Sequence, residues 1–137
     1  MQHLVPWLRL QLTPALGRVG MIRLIERFKT PEQAIDNAGD WHLAGLRNGL
    51  ARAIPASTDS NVDNACERLN EMQGRLLTMW DADYPHRLRQ ISDQPALLYC
   101  CGELLPAPAL AIVGTRHPTD FGRLHAGVPL QSPRSEK

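Results

Sequence analysis

Apolar residues at helical spacing fill the first half of the chain, and short unbroken apolar runs fill the second. Leu4, Trp7, Leu8 and Leu12 predict a first helix, which Thr13-Pro14-Ala15-Leu16-Gly17 interrupts. Met21, Leu24, Ile25 and Phe28 form the stripe of a second helix, with Arg18, Arg23 and Arg27 largely off it. Thr30-Pro31-Glu32-Gln33 reads as a helix start. Its threonine can cap, its proline suits the first helical position, and its glutamine can reach back as in a capping box. That helix is expected to stop near Gly39, and Asp40 to cap another carrying Trp41, Leu43, Leu46 and Leu50. Residues 55–60 are polar and punctuated, the best domain boundary in the chain. Beyond them Val62, Ala65, Cys66, Leu69 and Met72 share one helical face, which closes near Gly74.

The period then changes. Leu76-Leu77-Thr78-Met79-Trp80 and Ala96-Leu97-Leu98-Tyr99-Cys100-Cys101 read as strands, the second ended by Gly102. Asp81-Ala82-Asp83-Tyr84-Pro85 reads as a turn, and Leu88 with Ile91 as one helical turn. Residues 109–113 are an uninterrupted apolar run, typical of a strand covered on both faces. Residues 128–137 hold two prolines, two serines and no periodicity, and are expected to be disordered. The fold class expected is α/β. A helical domain over residues 1–55 and a linker at 56–60 precede a second domain that begins at 61, and the tail from 123 follows no pattern.

Composition narrows the classes. A hydrophobic fraction of 43% and a charged fraction of 21% are those of a globular chain of 137 residues. Aromatic residues make up only 5%, which disfavours a sheet paved with base-stacking rings. Net charge is +1, so no overall basic field announces a nucleic acid, but the charge is uneven: +3 over residues 1–55, −4 over 56–122 and +2 over the rest. Three cysteines, two adjacent, make no disulfide framework; Cys100 and Cys101 on a strand point to opposite faces, so core filling is expected rather than a metal site. A reducing cytoplasm fits. Residues 1–12 lack the pattern of a secretory signal, and no apolar run approaches the ~20 residues of a membrane span.

Three segments carry candidate chemistry. Ala111-Ile112-Val113-Gly114-Thr115-Arg116 reads as a strand feeding a glycine loop, followed by His117-Pro118-Thr119-Asp120-Phe121-Gly122. Gly114 permits a sharp turn and close approach, Arg116 offers a planar donor fork for phosphate oxygens, and Thr115 and Thr119 add hydroxyl donors. The loop lacks the Lys-Ser/Thr pair of a nucleoside-triphosphate loop and a full Gly-x-Gly-x-x-Gly, so it points to anion binding rather than nucleotide hydrolysis. A tight strand–helix turn with an exposed arginine is the plainer reading. Pro14-Ala15-Leu16-Gly17-Arg18 approaches a helix-hairpin-helix loop, in which Gly17 and Arg18 would meet a phosphate, although Ala15 stands where a glycine would allow close approach; a packing corner is the alternative. Asp81 and Asp83 suit a solvated turn better than a cation or acid/base site, and His3, His42, His86, His117 and His125 lack metal spacing.

In order along the chain, these segments resemble the DprA/Smf family of bacterial DNA-processing proteins. Phe28-Lys29-Thr30-Pro31-Glu32 is similar to that family's Phe-Gly-Ser-Pro-Glu. Asp83-Tyr84-Pro85 with Leu88, Ile91, Asp93, Pro95, Leu98, Tyr99 and Gly102 is similar to its Tyr-Pro, Leu, Ile, Asp-x-Pro, Leu-Tyr and Gly pattern. Ala111 to Arg116 with Thr119, Phe121 and Gly122 is similar to its Val-Gly-Ser-Arg-x-x-Thr-x-Tyr-Gly signature, with Thr115 for Ser and Phe121 for Tyr.

The resemblance implies a SAM- or helix-hairpin-helix-like domain followed by the start of a Rossmann-like parallel-sheet domain over residues 61–122. It implies a cytoplasmic protein that binds single-stranded DNA and loads a RecA-type recombinase during natural transformation. It implies no enzyme in the usual sense, no cofactor, and a homodimer in the full-length family. Arg116 would contact phosphate, with Gly114 and Thr115 shaping the pocket. Family members continue well past the signature, whereas Pro129 would break the helix expected here; a C-terminally shortened, impaired copy is therefore expected. A helical module contacting protein or DNA, with a remnant Rossmann segment, is the alternative. A nucleotide-handling enzyme of the Rossmann group ranks last, because no carboxylates stand in a credible catalytic place.

Overall fold

The computed structural model describes residues 2–104, 115–117 and 119–126. Contacts divide the chain into two units, residues 1–104 and 105–137. The first unit contains α1 (Val5–Leu12), α2 (Gly17–Phe28), α3 (Pro31–Asp36), α4 (Ser60–Glu71), β1 (Gly74–Thr78), α5 (His86–Arg89) and β2 (Leu97–Cys101). Tight 3-10 turns cover Gln2–Leu4, Ala38–Ala44 and Leu50–Ala53. In the second unit, α6 spans Asp120–Ala126. Among the described residues the architecture is α/β in the general sense: mostly helix, with one small sheet.

The two strands pair antiparallel, Gly74 opposite Cys101 and Thr78 opposite Leu97. Both start later or end earlier than the apolar runs suggest. Met79 and Trp80 fall beyond β1, because the Thr78 amide donates to the Asp81 carboxylate at 2.6 Å and the chain turns there. Met79 adds one last bond to the Ala96 carbonyl, 3.0 Å, just before β2 begins. The strand expected at residues 109–113, and the tail beyond residue 126, lie outside the described residues.

The core gathers Leu10, Leu16, Met21, Leu24, Ile25, Ala34 and Trp41 from the helical half together with Ala96 from the sheet half. Leu8, Val62, Leu69, Leu77 and Tyr84 are buried as well. α1 packs on α3 on one side and on α4 on the other, and α4 packs on β1. Here the expected stripe is corrected. Leu10 is fully buried while Leu12 is 37% exposed, because Leu8 and Leu10 lie roughly 200° apart on the helix and α1 is covered on both sides. The segment after α3 is corrected too. It is a 3-10 run that starts at Ala38 without a side-chain cap, so Leu43 is exposed although Trp41 is buried.

The start of α3 follows the expected chemistry, and α4 starts on a side-chain cap as well. Thr30 Oγ1 accepts from the Gln33 amide at 3.2 Å with Pro31 in the first position, and Asp59 accepts from the Asn61 amide at 2.8 Å. The α4 terminus departs from it. Gln73, at φ 48°, takes the left-handed conformation, and Gly74 already belongs to β1. A Cβ on Gly74 would lie 3.0 Å from Leu69 Cδ1 and 3.1 Å from the Cys100 carbonyl oxygen, so close packing rather than capping explains this glycine.

Lys29 ends α2 at φ 75°, ψ −41°, near the strained classic γ conformation. Lysine there costs about 1–2 kcal/mol that glycine would not, set against glycine's larger entropy in the unfolded chain, roughly 0.5–1 kcal/mol. Lys29→Gly is therefore expected to raise Tm by a few degrees, measured by thermal circular dichroism. A lower Tm would show that the γ-like backbone carries no strain.

Candidate nucleic-acid interface

The candidate anion loop is held by its own hydroxyls. Thr115 Oγ1 accepts from the His117 amide at 3.2 Å, and Thr119 Oγ1 accepts from the Gly122 amide at 3.2 Å. Thr119 also gives its carbonyl to the Arg123 amide, 3.0 Å, so it acts as the cap of α6. Each oxygen serves as an acceptor within the chain, which leaves each hydroxyl proton to be donated outward. Thr115, Arg116 and Thr119 are all exposed, and Arg116 makes no ion pair among the described residues. Gly114 lies outside the described residues.

The second candidate sits elsewhere, at the α1–α2 corner. Ala15 and Gly17 both have positive φ, 61° and 60°, so the hairpin takes left-handed geometry at both positions although only one is glycine. Between them Leu16 is buried. Thr13 is buried beside them and donates its hydroxyl to the Arg9 carbonyl at 2.7 Å. Arg18 forms an ion pair with Asp93, which ties the corner to the segment before β2. Its guanidinium is thus already committed within residues 1–104, unlike that of Arg116.

The acidic turn is structural. Asp81 receives the Thr78 amide, and Asp83 pairs with Arg75 at 2.9 Å. That hydrogen bond to Asp83 raises the Arg75 pKa above its ordinary value. Tyr84 donates its hydroxyl to the Pro95 carbonyl at 2.7 Å, and burial raises its pKa. Tyr99 donates to Gln11 Oε1, and burial likewise raises its pKa. Cys66 is half-buried, and burial pushes its thiol up, with Asp63 adding to the effect. Cys100 is half-buried and Cys101 exposed, as alternation along β2 requires. Among the described residues no group of three or more His, Cys, Asp or Glu could hold a metal, and no helix is long and apolar enough to cross a membrane.

The sequence reading passed over one surface feature, because its two parts lie far apart in the chain. Trp7 and Trp80 stack, ring centroids 5.7 Å apart and planes inclined at 26°. They line a pocket of about 500 Å³ with Ile25, Glu26, Lys29 and Asp81. No local pattern hinted at it, since the apolar run placed Trp80 within a strand that in fact ends at Thr78.

Comparison with known proteins adds the following. Residues 75–128 match the family model described as DNA recombination-mediator protein A. The chain is 28% identical over 131 residues to Protein Smf of Synechocystis sp. (strain ATCC 27184 / PCC 6803 / Kazusa), an alignment covering 85% of this chain and 31% of that protein. The chain thus spans about a third of the length of the curated relative it matches. No solved structure gives a significant match.

Proposed function

We propose that this chain, which belongs to the DprA/Smf family, takes part in DNA recombination by binding single-stranded DNA through the loop at residues 114–119. Arg116 contacts phosphate, Thr115 and Thr119 donate their hydroxyls, and Gly114 lets the strand approach the backbone. The observation that carries this reading is the position of Arg116. It lies inside the segment matching the recombination-mediator model and is exposed without an ion pair among the described residues. Arg18, tied to Asp93, is the secondary contact, with Gly17 beside it.

In this reading residues 61–122 begin a Rossmann-like parallel-sheet domain, and residues 1–55 form a SAM- or helix-hairpin-helix-like domain joined to it by 56–60. The protein acts without catalysis of its own in the cytoplasm. It hands the coated strand to a RecA-type recombinase during natural transformation, in a homodimer where the full family domain is present. Phosphate contacts dominate, so affinity is salt-sensitive and weakly dependent on base sequence.

Arg116→Ala is expected to weaken binding of a labelled single-stranded oligonucleotide by roughly tenfold, the order of one charge-assisted hydrogen-bond pair. It should also reduce the slope of log affinity against log salt by about 0.7, the value for one single-strand phosphate contact. Fluorescence anisotropy across a salt series measures both. Unchanged affinity with an unchanged slope would remove Arg116 from the interface.

A further inference from the structure

We infer that the Trp7–Trp80 pocket is a second contact for the same strand, a subsite that stacks one nucleobase; the inference rests on the single-stranded DNA reading above. The chain has three tryptophans, and Trp41 is buried in the core. Trp80 is 40% exposed, with its ring stacked on Trp7, which itself packs against the core from the surface. An indole steadied by another indole, partly exposed and lining a pocket, is a preformed platform. It loses little freedom when a flat ring settles on it.

The rest of the pocket selects the occupant. Its volume of about 500 Å³ is ample for one base. Charge at the rim is balanced. Glu26 and Asp81 contribute carboxylates and Lys29 an ammonium, and the Arg89 guanidinium, outside the lining, donates to the Asp81 carbonyl and lies 5.6 Å from the Tyr84 ring centroid. A bare anion would meet the carboxylates, and a bare cation would meet Lys29 and Arg89. A neutral aromatic ring with polar edges meets neither objection. The Glu26 carboxylate makes no hydrogen bond among the described residues and can accept from the exocyclic amine of adenine, cytosine or guanine. Lys29 in the lining and Arg89, bound to the Asp81 carbonyl, then supply cations for the flanking phosphates, and the exposed Arg87 lies on the same short helix α5 as Arg89.

The test uses the full chain and intrinsic tryptophan fluorescence, titrated with an adenine-containing single strand and with an abasic strand of equal length and charge. The adenine strand is expected to quench the emission, and the abasic strand to quench far less, since Trp41 is shielded. Trp80→Ala should lower affinity for the adenine strand by roughly tenfold and leave the salt slope unchanged. Trp80→Phe, which keeps a stacking ring, should restore most of the affinity, and that restoration separates stacking from any loss of folding. If Trp80→Ala binds as the parent does, or both strands quench alike, the subsite is wrong while the Arg116 reading stands. If Arg116→Ala binds as the parent does while Trp80→Ala is weakened, the loop is wrong and the subsite stands. Failure of the parent chain to bind either strand overturns both.

Discussion

Trp41→Ala is expected to cost about 3–5 kcal/mol, a large share of the roughly 5–15 kcal/mol that a domain holds in reserve. The indole is 2% exposed and sits in the cluster that joins α2 and α3 to the 3-10 run after them. Its Nε1–H donates to the Ala34 carbonyl at 2.6 Å, so removing it leaves a buried acceptor as well as a cavity. Urea denaturation followed by circular dichroism measures the loss. Trp41→Phe should fall between, because it keeps most of the packing and forfeits the hydrogen bond. An alanine variant with an unchanged midpoint would mean that Trp41 is dispensable and that the helical cluster is organised around something else.

Leu8→Ala is expected to cost about 2–5 kcal/mol, the range for emptying a fully buried leucine site. Leu8 is 0% exposed and stands on the helix that packs against α4, where Val62 is also 0% exposed. The shape of the transition is as informative as the midpoint. Residues on both sides of the 56–60 segment share the core, and two further ties cross it: Tyr99 donates to Gln11, and Arg18 pairs with Asp93. One cooperative transition at a lower urea concentration is therefore expected. A two-step transition in Leu8→Ala would show that residues 1–55 and 61–104 melt separately.

Much of this architecture is written in local chemistry. Thr30-Pro31 with Gln33 marked a helix start that the backbone confirms, whereas the Asp59 cap of α4 lay unremarked inside a segment read only as a boundary. The unbroken apolar run from Leu97 to Cys101 and the break at Thr13 to Gly17 were equally plain. What local pattern could not supply was a second covering surface. Leu10 looked like an off-stripe residue until α1 proved to be packed on two sides, and Gly74 looked like a helix cap until Cys100 lay against it across the strand pair. Both depend on partners distant in sequence, as does the Trp7–Trp80 stack. Of the anion loop, the exposure of Arg116 fits both the phosphate site and the plain turn, the local bonds that Thr115 and Thr119 accept were not foreseen, and Gly114 itself lies outside the described residues.

The long-range ties of α1 bear on how the protein is made. Gln11 receives its hydrogen bond from Tyr99, 88 residues later, and Trp7 finds its stacking partner only at Trp80. The opening helix therefore emerges from the ribosome with one flank able to settle on α2 and α3 at once, while its other flank stays bare until α4 and the strand pair have been translated. During that interval Leu8 is an adhesive surface on a nascent chain, so synthesis slowed anywhere before Cys101 should favour clumping or chaperone capture over native burial.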